Sequence, residues 1–132
     1  VRKDKRRNLP KPTASELEIL GVLWRLGPAT VRQVHEVLDA RRPAGYTTTL
    51  KLMQIMTEKG LLEREGQGRA HVYHPVLARE ETQGRLVDDL LDKVFGGSSA
   101  ELVMRALSRR KASRAELAAI KALIEDHERA GR

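Results

Sequence analysis

Apolar residues recur with a helical period in three successive runs at the front of the chain. Leu17, Ile19, Leu20, Leu23 and Trp24 follow one another at spacings of three and four. Ahead of them, Thr13-x-x-Glu16 is a capping box, in which each side chain satisfies the other residue's backbone N–H, and Gly27-Pro28 ends the run. A second box, Thr30-x-x-Gln33, opens a helix that buries Val31, Val34, Val37 and Leu38 before Arg41, Arg42 and Pro43 break it. The third run ends at Lys59-Gly60. At 100° per residue Leu52, Met53 and Met56 fall together, while Thr47, Lys51, Gln54 and Glu58, spaced i, i+4, i+7 and i+11, line the opposite side. Leu50 and Ile55 lie on the flanks, and Trp24 is expected in the core.

After Gly60 the period changes. Leu61 to Glu65 and Ala70 to Pro75 read as short strands joined by Gly66-Gln67-Gly68, with Arg64 and Arg69 available for phosphate and Val72 and Tyr73 expected to pack inward. Three helices followed by a basic hairpin is the order of a winged helix-turn-helix, whose third helix enters a DNA groove while the hairpin touches the neighbouring backbone. From about Leu77 the pattern is wholly helical. Leu86, Val87, Leu90, Leu91, Val94 and Phe95 form one stripe, broken by Gly96-Gly97. Ser98-x-x-Glu101 and Ser113-x-x-Glu116 then open a helix with Leu102, Val103, Ala106 and Leu107 and another with Leu117, Ile120, Leu123 and Ile124. So small a segment cannot bury all of this apolar surface alone, and a second copy of the chain is the simplest cover. Leu86, Leu90, Val94, Phe95, Leu102, Leu107, Leu117, Ile120 and Ile124 are the candidate dimer residues.

The expected fold is mainly α with a small β-wing. A basic arm (1–11) precedes a winged helix-turn-helix DNA-binding domain (12–78) and a C-terminal helical dimerisation region (79–132). Charge sharpens this reading. The 132 residues carry a formal net charge of +7. Residues 1–78 hold 14 Lys and Arg against 8 Asp and Glu, and the later residues hold 11 against 10. Most of the first excess sits in the arm, so DNA contacts in the folded reader have to be local rather than a broad positive field. Aromatic residues make up only 3%, which favours duplex DNA over the base stacking used on single strands. There is no cysteine, hence no disulfide or thiolate site. No apolar run approaches the roughly 20 residues that span a bilayer, and no signal peptide follows the basic N-terminus, so a cytoplasmic protein is expected.

Two rival classes are weighed against a DNA reader. An enzyme would need a constellation of reactive groups, but His71 and His74 are three apart on a strand and face opposite ways. His35 has no evident partner in sequence, His127 lies in a charged terminal turn, and Asp88, Asp89 and Asp92 read as a solvated helix face. No metal, cofactor or catalytic site is expected. A winged helix devoted to protein–protein contact would carry apolar anchors on the outer stripe of helix three, where this chain has Thr, Lys and Gln.

The segments SELEILGVLW, ATVRQVHEVL, GYTTTLKLMQIMTEKGLLERE and RAHVYHPV, with the Gly-Gly and two-helix tail, resemble the penicillinase repressor (BlaI/MecI/CopY) family of bacterial winged-helix transcriptional repressors. The resemblance covers nearly the whole chain after the arm. It implies a homodimer on an inverted-repeat operator of double-stranded DNA, with a recognition helix in each major groove and a membrane sensor and protease pathway as upstream partner. By matching position it implies DNA contacts from Thr47, Thr48, Lys51 and Arg69. Phosphate contacts are expected from the N-terminal arm and from the start of helix two, which adds Thr30 and Arg32, and the outer stripe adds Gln54. Two features depart from the family. Antibiotic-responsive members are cut at an Asn-Phe bond in the helix after the Gly-Gly, where this chain reads SSAELVMRALS with Arg105-Ala106 nearest that place. Copper-responsive members use C-terminal cysteines, and this chain has none.

Overall fold

The structure, a computed structural model, describes residues 8–66 and 71–131. Its elements are α1 (Ala14–Leu26), α2 (Val31–Arg41), α3 (Tyr46–Lys59), β1 (Leu62–Glu65), β2 (Val72–Pro75), α4 (Arg79–Lys93), α5 (Ser99–Arg109) and α6 (Arg114–Ala130). The chain divides into two compact units after Leu86.

In the first unit both predicted capping boxes form. The Glu16 N–H donates to Thr13 Oγ1 at 3.2 Å and the Thr13 N–H to Glu16 Oε1 at 2.9 Å. Thr30 and Gln33 repeat the exchange at 3.2 and 2.9 Å, which satisfies donors that a helix start leaves orphaned. Helix α3 begins after Gly45 with no side-chain cap and ends at Gly60. Gly60 has φ +85°, the left-handed conformation that closes a helix, and a Cβ there would lie 3.1 Å from Leu9 Cδ2. Leu9 itself packs against the core.

That core is built by Ile19, Leu20, Val22 and Leu23 of α1, Val31 and Val34 of α2, Met53 and Met56 of α3, and Leu61, Leu62 and Tyr73 of the wing. Met53 and Met56 are fully buried. Leu52, expected beside them, is only half-buried, and Thr49 takes the inner position instead. The reason is rotational. Thr49, Met53 and Met56, spaced i, i+4 and i+7, form the stripe that meets α1 and α2, and Leu52 lies at its rim beside Leu50. Val37 and Leu38 likewise pack on the core from its edge.

Strands β1 and β2 pair antiparallel with Leu62 opposite Pro75, Glu63 opposite His74, Arg64 opposite Tyr73 and Glu65 opposite Val72. A third edge comes from the α1–α2 connection. Ala29 N–H donates to the Tyr73 carbonyl at 3.1 Å, and Tyr73 N–H donates back to Ala29 at 2.8 Å. The wing is thereby fixed to the helices by backbone as well as by the buried Tyr73 ring. Arg69 and the rest of 67–70 lie outside the described residues, as do 1–7 of the arm. Trp24, half-buried, donates its indole N–H to the Leu77 carbonyl at 3.1 Å, just before α4 starts, and Thr82 in the first turn of α4 is buried.

The second unit has a different character. Gly96 and Gly97, at φ +56° and +82°, turn the chain after α4. The Ser98 hydroxyl accepts the Glu101 N–H at 3.1 Å without the return bond of a full box, whereas Ser113 and Glu116 form both bonds at 3.1 Å. No residue of α5 or α6 is buried. Val94 stays 65% exposed, Leu123 58% and Ile124 51%.

One buried charge stands out in the first unit. The Glu16 carboxylate, with 2% of its side chain exposed, accepts the Lys59 ammonium at 2.8 Å, which ties the start of α1 to the end of α3. Burial alone would raise the Glu16 carboxyl. The Lys59 ammonium and the Thr13 N–H outweigh it and hold the group below its ordinary 4.5. Lys59→Ala is expected to lower stability by about 1–3 kcal/mol, less than the ~3–5 of a fully buried pair because the lysine keeps partial access to water. A lowered carboxylate contributes its full stability above its unfolded value and loses it as pH falls through the folded one. The difference between parent and variant should therefore shrink below about pH 4.5, which urea unfolding across acid pH measures. A difference that stays constant into acid would show that this pair is not its source.

Candidate nucleic-acid interface

Because Thr49, Met53 and Met56 face inward, helical geometry turns the opposite side of α3 to solvent. Thr47, Lys51, Gln54 and Glu58 are all exposed, and so is Thr48 beside them. The stripe is continuous over three turns and carries hydroxyl, ammonium and amide groups, the donors and acceptors that read base edges and phosphates. Thr47 and Thr48 lie in the first turn, where Gly45 supplies no side chain to cover the free N–H groups of the helix start.

The surroundings are mixed in charge. Arg32 on α2 is exposed, and Thr30 is partly covered because its hydroxyl serves the α2 cap. Arg42 is engaged by Glu18. On the wing, Glu63, Arg64 and Glu65 are exposed, and Glu63 Oε2 lies 3.2 Å from His74 Nε2 across the strands. This bears on the histidines. His74 pairs with Glu63, and His35, expected to lack a partner, meets the Tyr46 ring edge-on with centroids 5.6 Å apart. Among the described residues no group of three His, Asp or Glu is placed to hold a metal ion.

Sequence reasoning missed three elements that position α3. Lys59 anchors its end through Glu16, Tyr46 anchors its start against His35, and Ala29 anchors the wing beside it. The Lys59 contact spans 43 residues, and nothing in local periodicity signals it. A shallow groove of about 580 Å³ is lined by Leu26, Gln33, Glu36, Val37, Ala40 and Arg41, with no residue from α3. Among the described residues no helix is long and apolar enough to cross a membrane.

The family model described as penicillinase repressor matches residues 12–126. The chain belongs to the penicillinase repressor family. Within this family it is 38% identical over 103 residues to the transcriptional regulator BlaI of Mycobacterium tuberculosis, a match covering 76% of this chain and 75% of that one. It is also 21% identical over 121 residues to the penicillinase repressor of Bacillus licheniformis, covering 92% and 94%. Among solved structures it is similar to the DNA-binding domain of the repressor BlaI, with a TM-score of 0.50 at 23% identity over 56% of this chain and 90% of that one. That likeness shows the winged-helix fold of the first unit. The penicillinase repressor family is one of transcriptional repressors, not of enzymes.

Proposed function

We propose that this member of the penicillinase repressor family binds duplex DNA sequence-specifically, as a homodimer on an inverted-repeat operator, and represses transcription by occupying it. The observation that carries the reading is the outward polar stripe of α3. Thr47, Thr48, Lys51 and Gln54 are free to read base edges or adjacent phosphates, and Thr30, Arg32 and the wing residue Arg69 are assigned to backbone contacts that set the register. No large apolar side chain interrupts the Thr47–Lys51–Gln54 line, which argues against a purely protein-binding surface. No Asn-Phe bond follows Gly96-Gly97 in these residues, so release from DNA is not assigned to cleavage at such a bond.

The dimer reading rests on helices α4, α5 and α6 and the turn that follows α4. Leu90, Val94, Leu107, Leu117 and Ile124 are exposed, and Leu86, Phe95, Leu102 and Ile120 are only half-buried. Covering such side chains contributes about 25 cal/mol per Å² of apolar surface removed from water, and an isologous contact between two copies uses the same faces twice. We assign residues 79–132 to this contact and 12–78 to the DNA reader.

Lys51→Ala should weaken binding to the selected operator by about 1–3 kcal/mol, roughly 5- to 150-fold, measured by fluorescence anisotropy at fixed salt. A variant that binds as tightly as the parent would remove Lys51 from the contact. For the assembly, sedimentation equilibrium of the full chain is expected to give a dimer, and Leu90→Asp with Val94→Asp to give a monomer whose operator affinity falls at least tenfold as avidity is lost. A monomeric parent would sink the dimer.

A further inference from the structure

The corner between α5 and α6 carries a concentration of charge that the reading above leaves unused. Arg105, Arg109, Arg110, Lys111 and Arg114 fall within ten residues, and all five are exposed. Arg105 and Arg109 are four apart on the last turns of α5, Arg110 caps that helix, and Arg114 opens α6. Elsewhere in the later part of the chain four cations are matched locally, and among the described residues Lys121 stands alone on α6. Arg79 meets Glu80 at 3.4 Å, Arg85 meets Glu81 at 3.5 Å, Lys93 meets Asp89 at 2.8 Å, and Arg129 meets Asp126. Among the described residues none of the five corner cations has a carboxylate partner.

Arg109, in the last turn of α5, suits the negative end of that helix dipole, but the other side of the corner works against the local fold. Arg114 sits at the positive end of the α6 dipole, where an acidic residue would be favoured by about 0.3–1 kcal/mol, and it adds to the repulsion among Arg109, Arg110 and Lys111. Like charges gathered with no carboxylate beside them among the described residues point to a polyanion outside the chain. Four of the five residues are arginine, whose planar donor fork suits phosphate oxygens. The connection itself, Arg110 to Ser113, offers no aromatic or large apolar anchor.

We propose that this corner is a second polyanion site, which grips the phosphate backbone of duplex DNA outside the base pairs read by α3. The proposal rests on the duplex-binding reading and deepens it. The corner adds affinity and salt sensitivity without sequence preference, because phosphates carry no sequence information. It also gives the second unit a role in DNA binding besides holding two copies together.

The test uses the full chain and a random-sequence duplex of about 40 base pairs, long enough for two recognition helices one or more DNA turns apart and the flanking phosphates. Binding is measured across a salt series for the parent, for Arg109→Gln/Arg110→Gln/Lys111→Gln, and for Lys93→Gln/Lys121→Gln/Arg129→Gln, which removes the same charge from elsewhere in the later part of the chain. Each phosphate contact contributes about 0.9 to the slope of log affinity against log salt. The corner variant should lose about two to three units of slope per protomer, about five for a bound dimer, and remain as dimeric as the parent in sedimentation, while the second variant keeps the parental slope. Equal slopes for all three proteins would overturn the proposal alone. So would a corner variant that falls to monomer, or a parent that sediments with phosphatidylglycerol vesicles while the duplex slope stays unchanged. A parent that binds no duplex would remove the reading on which the proposal rests and the proposal with it.

Discussion

The docking of α3 on α1 is the constraint from which the rest of the first unit follows. Met53 and Met56 are sealed in the core with Ile19 and Leu23, each side chain contributing about 1.5–3 kcal/mol by leaving water. That packing fixes the rotation of the helix about its axis. The Glu16–Lys59 pair adds a fixed point at its far end, and the Tyr46–His35 ring contact adds one at its start. With rotation and both ends set, the position of Thr47, Thr48, Lys51 and Gln54 on the surface is determined. A reader of DNA needs such preorganisation, because side chains held in place before binding spend less of their interaction energy on being ordered.

Much of this was legible in the sequence because its signals are local. The Thr13 and Thr30 capping boxes, the Gly60 stop and the polar line of α3 depend on residues a few positions apart, and each forms as its spacing requires. The exchange of Leu52 for Thr49 at the inner position shows where local reasoning ends. A face count ranks leucine above threonine, but the docking angle against two other helices selects which residues meet the core. The Thr49 hydroxyl points toward the Gly45 carbonyl at 3.4 Å, which eases its burial. Long-range contacts left no trace in the pattern. The Lys59 ammonium, the Ala29 edge and the Trp24 bond to Leu77 each join residues more than 40 positions apart, and only the folded chain brings them together.

The two units differ in how completely their sequence is satisfied by their own fold. In the first, most apolar residues are enclosed, Leu26 and Tyr46 being exceptions, and the buried carboxylate is paired. In the second, helices with sound caps and clear amphipathic stripes leave Val94, Met104, Leu123 and Ile124 half or more exposed, and among the described residues the cations of the α5–α6 corner have no carboxylate partner. Unmatched apolar and charged surface in one small unit is what a chain designed to meet other molecules displays. The apolar part suits a second copy and the charged part suits a polyanion.

The central claim is that the outer stripe of α3 meets duplex DNA. Nuclear magnetic resonance titration of the full chain with duplex DNA tests it at the level of single residues. The account predicts that the backbone amides of Thr47, Thr48 and Lys51 and the side-chain amide of Gln54 shift most within the first unit, while the methyl groups of Met53 and Met56 stay where they are. Large shifts on the groove around Leu26, Gln33 and Glu36, with the α3 stripe unmoved, would contradict it.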